Sequence, residues 1–289
     1  MIRSLRFALT ALFVAFFAGA TFAEPAVWVV KDKDATVVMF GSVHLLPPGL
    51  SWEPPALKRA LAAADDVWFE IPIDDAANLA AGQAALAAGM QPEGASLSAL
   101  LTARDQARLA RAAFVCGLPV EGLDRLKPWF ADVTVSVASY RMAGAAVEEG
   151  VERQLSAALS PTVRRRAFET PAEQISYLSA APVQDQVASL RETLDELDEG
   201  PVSYRRLLRA WIKGDVRALR REALAPMMKH APGVYKSLVA DRNHRWADTI
   251  AERLQGSGEA VVIVGVGHLV GPDGVPALLR ARGFKVEGP

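Results

Sequence analysis

Two short apolar runs, Ala26 to Val30 and Thr36 to Phe40, flank the polar stretch Lys31-Asp32-Lys33-Asp34, a pattern that predicts two strands joined as a hairpin. Pro54 and Pro55 then open a helix to about Ala64, proline being tolerated in a first helical turn. The apolar run from Asp66 to Ile73 predicts the next strand, with Glu70 inside it. From Ala76 to about Ala157 the spacing is helical, interrupted at Gly117 to Leu123, where Val120 to Leu123 is expected as a short strand. A further short strand is expected at Arg166 to Glu169. Pro171 to Arg253 is again mostly helical, with breaks near Gly200-Pro201, Gly214 and Pro232-Gly233. The last unit reads as a strand at Ala260 to Val264, a helix at Val275 to Arg282 and a strand at Phe284 to Val286.

Within this pattern one segment recurs. Val-Val-Met-Phe-Gly-Ser-Val-His-Leu (Val37 to Leu45) returns 224 positions later as Val-Val-Ile-Val-Gly-Val-Gly-His-Leu (Val261 to Leu269), so two of the four histidines end matching apolar strands through Gly-x-x-His. Continuous apolar runs of this kind suit strands buried on both faces, the usual state in parallel sheets. The predicted fold is therefore α/β: a central mixed sheet built from two strand-GxxH-helix-strand repeats, covered by a long helical insert over about residues 76–255. Ligands of open α/β sheets bind beyond the carboxyl ends of the strands. His44 and His268, leaving neighbouring strands, would converge there.

The amino terminus adds a compartment. Arg3 and Arg6 precede an apolar run from Phe7 to Phe17 and the tripeptide Thr21-Phe22-Ala23, the pattern of a secretory signal. The expectation is cleavage after Ala23, export to the periplasm and a single mature domain over 24–289, with an uncleaved anchor as the alternative. The apolar run is too short for a comfortable transmembrane span. Losing residues 1–23 removes two arginines and no acid, taking the net charge from −1 to −3, which argues against nucleic acid as a partner. Cys116 is the only cysteine, so the exported chain has no internal disulfide to lean on and the thiol is expected as a small apolar group on a helix.

The chemistry then concentrates on a few polar residues. Glu70 lies among Trp68, Phe69 and Ile71, and a carboxylate buried on a strand must be paired or metal-bound. With His44 and His268 it makes a three-ligand set that leaves a position for water, as hydrolytic metal sites require. Arg242, in Asp241-Arg242-Asn243, is a candidate electrostatic participant able to grip a carboxylate or an oxyanion. His230 and His244 follow no apolar strand and read as surface or packing residues. Ser42 reads as peripheral to the site, and Arg164-Arg165-Arg166 as a solvated run ahead of its strand.

An ordered set of motifs spans nearly the whole mature chain: Phe40-Gly41-Ser42-Val43-His44-Leu45-Leu46-Pro47-Pro48, Trp68-Phe69-Glu70, Leu126-Lys127-Pro128-Trp129, Gly150-Val151-Glu152, Phe168-Glu169-Thr170 with Gln174, Trp211-x-x-Gly214-Asp215, Asp241-Arg242-Asn243 and Val264-Gly265-Val266-Gly267-His268-Leu269-Val270-Gly271. This set resembles the TraB/GumN (PrgY, TIKI-like) family. The resemblance implies an α/β fold like that of the erythromycin esterase and ChaN-like group, and a metal-dependent protease activity. His44, Glu70 and His268 would then be metal-site residues for manganese or cobalt, zinc also suiting such a set, with Arg242 in support. Glu169 matches a further acidic motif without an assigned place. The resulting expectation is a periplasmic metal-dependent hydrolase acting on a peptide or protein. The alternatives are a metal-independent hydrolase with His44 as general base, as erythromycin-esterase relatives suggest, or a non-catalytic periplasmic module binding peptide, iron or haem.

Overall fold

The computed structural model describes residues 24–289; the expected signal segment, residues 1–23, lies outside them. The chain is α/β, with a mixed six-stranded sheet in the order β4-β3-β5-β2-β1-β6. The strands are β1 (Val27–Asp32), β2 (Ala35–Ser42), β3 (Asp66–Phe69), β4 (Arg164–Ala167), β5 (Gly258–Gly265) and β6 (Val286–Glu287). β1 and β2 form the expected antiparallel hairpin, Val29 opposite Val38. β2 and β5, the strands of the two Gly-x-x-His motifs, run parallel as direct neighbours, Gly41 opposite Val264 and Ser42 opposite Gly265. β3 runs parallel to β5 on its other side, and β4 parallel to β3. Four adjacent strands thus end at one edge.

Each motif strand is followed by a helix and a strand, and the two segments travel oppositely. From β2 the chain passes through the helix Pro55–Ala63 to β3, on the far side of β5. From β5 it passes through the helix Val275–Ala281 to β6, on the far side of β2 and β1. The connections therefore diverge at the β5-β2 junction, the kind of switch point where α/β sheets open a crevice.

The apolar runs explain the core. Val37 to Phe40 and Ala260 to Val264 are all buried, as strands covered on both faces must be. Trp52 and Trp211 pack on Phe40, with ring centroids 5.7 and 6.2 Å from it. The Trp211 indole also donates to the Gly41 carbonyl at 2.7 Å, which anchors the end of β2. A second apolar cluster, with Leu109, Val135, Leu190 and Leu194, joins the helices Ala103–Cys116, Pro128–Met142 and Val183–Asp198.

Several local expectations need correction. Val120–Asp124 is a short helix following Pro119, not a strand; four apolar-leaning residues carry no periodicity that separates the two. β4 begins at Arg164, so the arginine run is the edge strand itself, exposed along its length, with Arg166 lying over the Trp68 ring at 5.7 Å. β3 stops at Phe69, so Glu70 stands just past the strand instead of within it. Cys116 ends its helix half-buried and free. No helix among the described residues is long and apolar enough to cross a membrane.

Candidate functional site

Every polar residue of the site except those on two helices enters from the carboxyl edge of the four parallel strands. Glu70 follows β3, Glu169 follows β4, His268 follows β5 and His44 follows β2. The Glu169 N–H donates to the Glu70 carbonyl at 2.9 Å, extending the β3–β4 pairing and setting the two carboxylates side by side. Two buried acids so placed require a cation.

Arg242 supplies it from the helix Asp241–Leu254, which follows the widened, π-type turn Lys236–Ala240. Its Nε donates to Glu169 Oε1 at 2.8 Å, and its Nη2 donates to Glu169 Oε2 at 2.8 Å and to Glu70 Oε2 at 2.6 Å. Its Nη1 donates to the Leu238 carbonyl at 3.0 Å and reaches His268 Nε2 at 3.2 Å. A guanidinium has five N–H donors, and all are engaged here. Arg242 therefore neutralises and positions; it keeps no free donor for a substrate oxyanion. Trp246 braces the group, its ring 4.6 Å from the guanidinium carbon and its indole donating to Glu169 at 3.0 Å.

Hydrogen bonding fixes the state of His268. The Asn243 amide donates to the Asp273 carbonyl at 2.7 Å, which turns its oxygen toward His268 Nδ1, 2.6 Å away. Nδ1 must then carry the proton, and Nε2 presents a lone pair to Arg242. Burial, with Arg242 and His44 adding to it against the charge of Glu70, lowers the His268 pKa to about 3. This histidine is neutral at physiological pH.

His44 is its electrostatic opposite. Its Nδ1 lies 2.7 Å from Glu152 Oε1, and Ser42 Oγ donates to the same oxygen. The Glu152 charge, with its hydrogen bond, raises the His44 pKa to about 9. Glu152 is buried near the start of the helix Val151–Ala158, whose first N–H donates to the Val43 carbonyl at 3.2 Å. The His44 side chain is 61% exposed, and its Nε2 has no partner among the described residues. It is the site's open face.

These groups meet over Gly265. A Cβ there would lie 3.1 Å from Glu70 Oε1, 3.6 Å from His44 Nε2 and 3.7 Å from His268 Cδ2, so the missing side chain is the space they share. The Gly265 N–H donates to Glu70 Oε1 at 2.7 Å. Burial alone would raise the Glu70 pKa, but the charges of Arg242 and His44, that N–H, and His268 once strong acid protonates it, hold it well below the carboxylate range. Gly41 has a different reason: a Cβ there would come 2.7 Å from Val266 Cγ2, so its absence lets the two motif loops pass. Gly265→Ala should fill the shared space and cost turnover while sparing the fold. Gly41→Val should lower the melting temperature as well, because overpacking costs about 1–3 kcal/mol; thermal melts beside turnover separate the two.

The structure brings together His44, Glu70, Arg242 and His268, the four residues expected from the sequence, and adds Glu152, Asn243, Glu169 and Ser42. Ser42 is thus part of the His44–Glu152 unit and not peripheral. His230 and His244 lie apart, His230 paired with Glu192 and His244 exposed. As a metal-binding set, the expected triad fits poorly in this arrangement. A divalent ion would have to displace the guanidinium from His268 Nε2 and share Glu70 with it, and among the described residues no three His, Cys, Asp or Glu side chains are grouped as ligands.

The model of the TraB/PrgY/gumN family matches residues 26–288. Comparison with curated proteins and with solved structures finds no match.

Proposed function

The chain belongs to the TraB/PrgY/gumN family, and on that footing we propose that it is an exported hydrolase of peptide bonds in which His44, oriented by Glu152, moves the proton of the attacking water. The observation that carries this reading is the His44–Glu152 pair beside Gly265: an imidazole bound at Nδ1 by a buried carboxylate, with Nε2 open. In its neutral form His44 takes a proton from water through Nε2, and Glu152 stabilises the imidazolium that results, the logic of histidine–carboxylate pairs in acyl transfer. The same proton is then available to the leaving amine. Neutral His268 and the Glu70–Arg242–Glu169 array form the fixed polar floor beneath the reacting group.

A metal-dependent route is the second reading, and one observation favours it. Both imidazoles are held at Nδ1, His44 by Glu152 and His268 by Asn243, and orienting partners of that kind are usual behind metal-bound histidines. In that case His44, Glu70 and His268 would hold the ion, which supplies an activated water, and Arg242 would have to move.

The two readings separate on one experiment. Purified protein is assayed for metal content, and its cleavage of a mixed peptide library is followed by mass spectrometry before and after chelation, with His44→Ala alongside. The first reading expects cleavage that survives chelation and is lost in His44→Ala. Loss on chelation with recovery on adding manganese or cobalt would transfer the case to the metal route, and no cleavage by metal-loaded or metal-free protein would end the hydrolase reading.

A further inference from the structure

Beside this site the helices form an open cavity of about 500 Å³, walled in part by Trp129, Asp132, Tyr140, Glu196, Tyr204 and Leu238. A smaller cavity of about 210 Å³ shares Tyr140, Glu196 and Tyr204 with it. Two wall residues join the larger cavity to the site. The Tyr204 hydroxyl donates to the carbonyl of Leu45, next to His44, at 3.0 Å, and the Leu238 carbonyl accepts from Arg242.

The charge of this cavity is unbalanced. Glu199 and Glu222 share Arg206, Asp195 meets Arg108 and Glu192 meets His230. Asp132 and Glu196 have no ion-pair partner among the described residues; Glu196 feels only the more distant charge of Arg206, which is already shared by Glu199 and Glu222. Asp132 is served only by hydroxyls, Ser189 at 2.6 Å, Thr193 at 2.5 Å and Ser136 at 3.5 Å, and Glu196 makes no side-chain hydrogen bond or ion pair among the described residues. Tyr140 and Tyr204, their ring centroids 5.0 Å apart, add aromatic faces, which attract cations. A separate observation points to a ligand with a carbonyl. Trp129 is 4% exposed, and its indole N–H is buried without a partner. Buried donors of that kind normally have an acceptor.

We propose that this cavity binds a basic residue of a peptide, its side-chain cation lying between Asp132 and Glu196 and a carbonyl of its backbone accepting from Trp129. Naming this peptide as the substrate rests on the hydrolase reading; its binding does not. A basic residue seated there would bring the adjoining backbone to the wall shared with His44.

The test is calorimetric binding of acetyl-Ala-Lys-Ala-amide at pH 8, against the norleucine analogue and n-butylamine, to the full chain and to its His44→Ala, Glu196→Gln and Asp132→Asn variants. The lysine peptide should bind at least about tenfold more tightly than the norleucine peptide, which has the same backbone without the charge, and should also bind more tightly than n-butylamine, which has the charge without the backbone. Glu196→Gln and Asp132→Asn should each weaken the lysine peptide about tenfold or more, since removing one member of a desolvated charge pair is costly, while His44→Ala should bind as wild type does. Equal affinity for lysine and norleucine peptides in wild-type protein, a comparison that needs no variant to fold, would overturn the proposal. So would a lysine preference that survives both acid substitutions in folded protein, or n-butylamine binding as well as the peptide. Tight lysine-selective binding without cleavage would instead sink the hydrolase reading and leave the cavity assignment standing.

Discussion

Replacing Arg242 with methionine should cost the fold about 3–5 kcal/mol, because it leaves two buried carboxylates facing one another without their cation. Glu70 and Glu169 both lose charge-assisted hydrogen bonds, and His268 Nε2 loses its donor. For a domain of this size the melting temperature should fall by roughly 10 °C. The loss should be largest at neutral pH and shrink in acid, where the orphaned carboxylates can protonate. Adding Glu70→Gln and Glu169→Gln should recover much of it, since a buried pair is costly mainly when broken on one side. In the wild-type protein the sign for Glu70 is the ordinary acid one. Its folded pKa lies below its usual 4.5, so its contribution is complete above that value and is lost progressively as pH falls from there through the lower folded value. Thermal melts across pH check both statements. An Arg242→Met variant as stable as wild type at pH 7 would show that the cluster does not hold the four strand ends together.

Glu152→Gln should be the most damaging conservative change to turnover, with kcat/KM down by about 10²–10⁴ on its plateau. The amide keeps the shape of the glutamate and removes the charge that stabilises the His44 imidazolium. The pH profile should move as well. In wild type the neutral imidazole becomes tenfold more abundant with each pH unit up to about 9, so kcat/KM should climb to that point and then level. In Glu152→Gln the Glu152 charge is gone, so the limb should shift down toward 6.5, the unperturbed value. Stability follows the same linkage: the His44–Glu152 pair contributes fully below about pH 6.5 and its contribution is lost as pH rises through about 9. Steady-state kinetics over pH 5–10, a range of about five units around these values, would show a profile unmoved by the substitution if Glu152 were only a packing residue.

The legible part of this molecule was its strand edge. The duplicated Gly-x-x-His ending two apolar runs implied neighbouring parallel strands, and the β2–β5 register has them so. Glu70 could be picked out because a carboxylate among Trp68, Phe69 and Ile71 demands a partner. Glu152 was harder, since it reaches His44 across 108 residues of sequence and only the tertiary fold sets that distance. A signal did exist: Val151, Glu152 and Leu155 occupy the buried face of one helix, and an acid on an apolar helical face is as conspicuous as one in a strand. Asn243 stands in the Arg242 motif without a role of its own, because adjacency in sequence does not say that two helical neighbours grip one cluster. The role of Arg242 also depended on counting its donors in three dimensions. The short segments failed for another reason. Val120 to Leu123 and the ends of β3 and β4 are too brief for periodicity to choose their type or limits.

Glu152 holds His44 charged and oriented, while His268 is kept neutral by burial and its Asn243 bond. The most direct measurement is the pH titration of the histidine ring carbons by NMR in wild-type protein, assigned with His44→Ala and His268→Ala. His44 should titrate at about 9 and His268 should remain neutral down to about pH 3. A His44 signal titrating near its unperturbed 6.5, at the same pH in wild type and in Glu152→Gln, would contradict it.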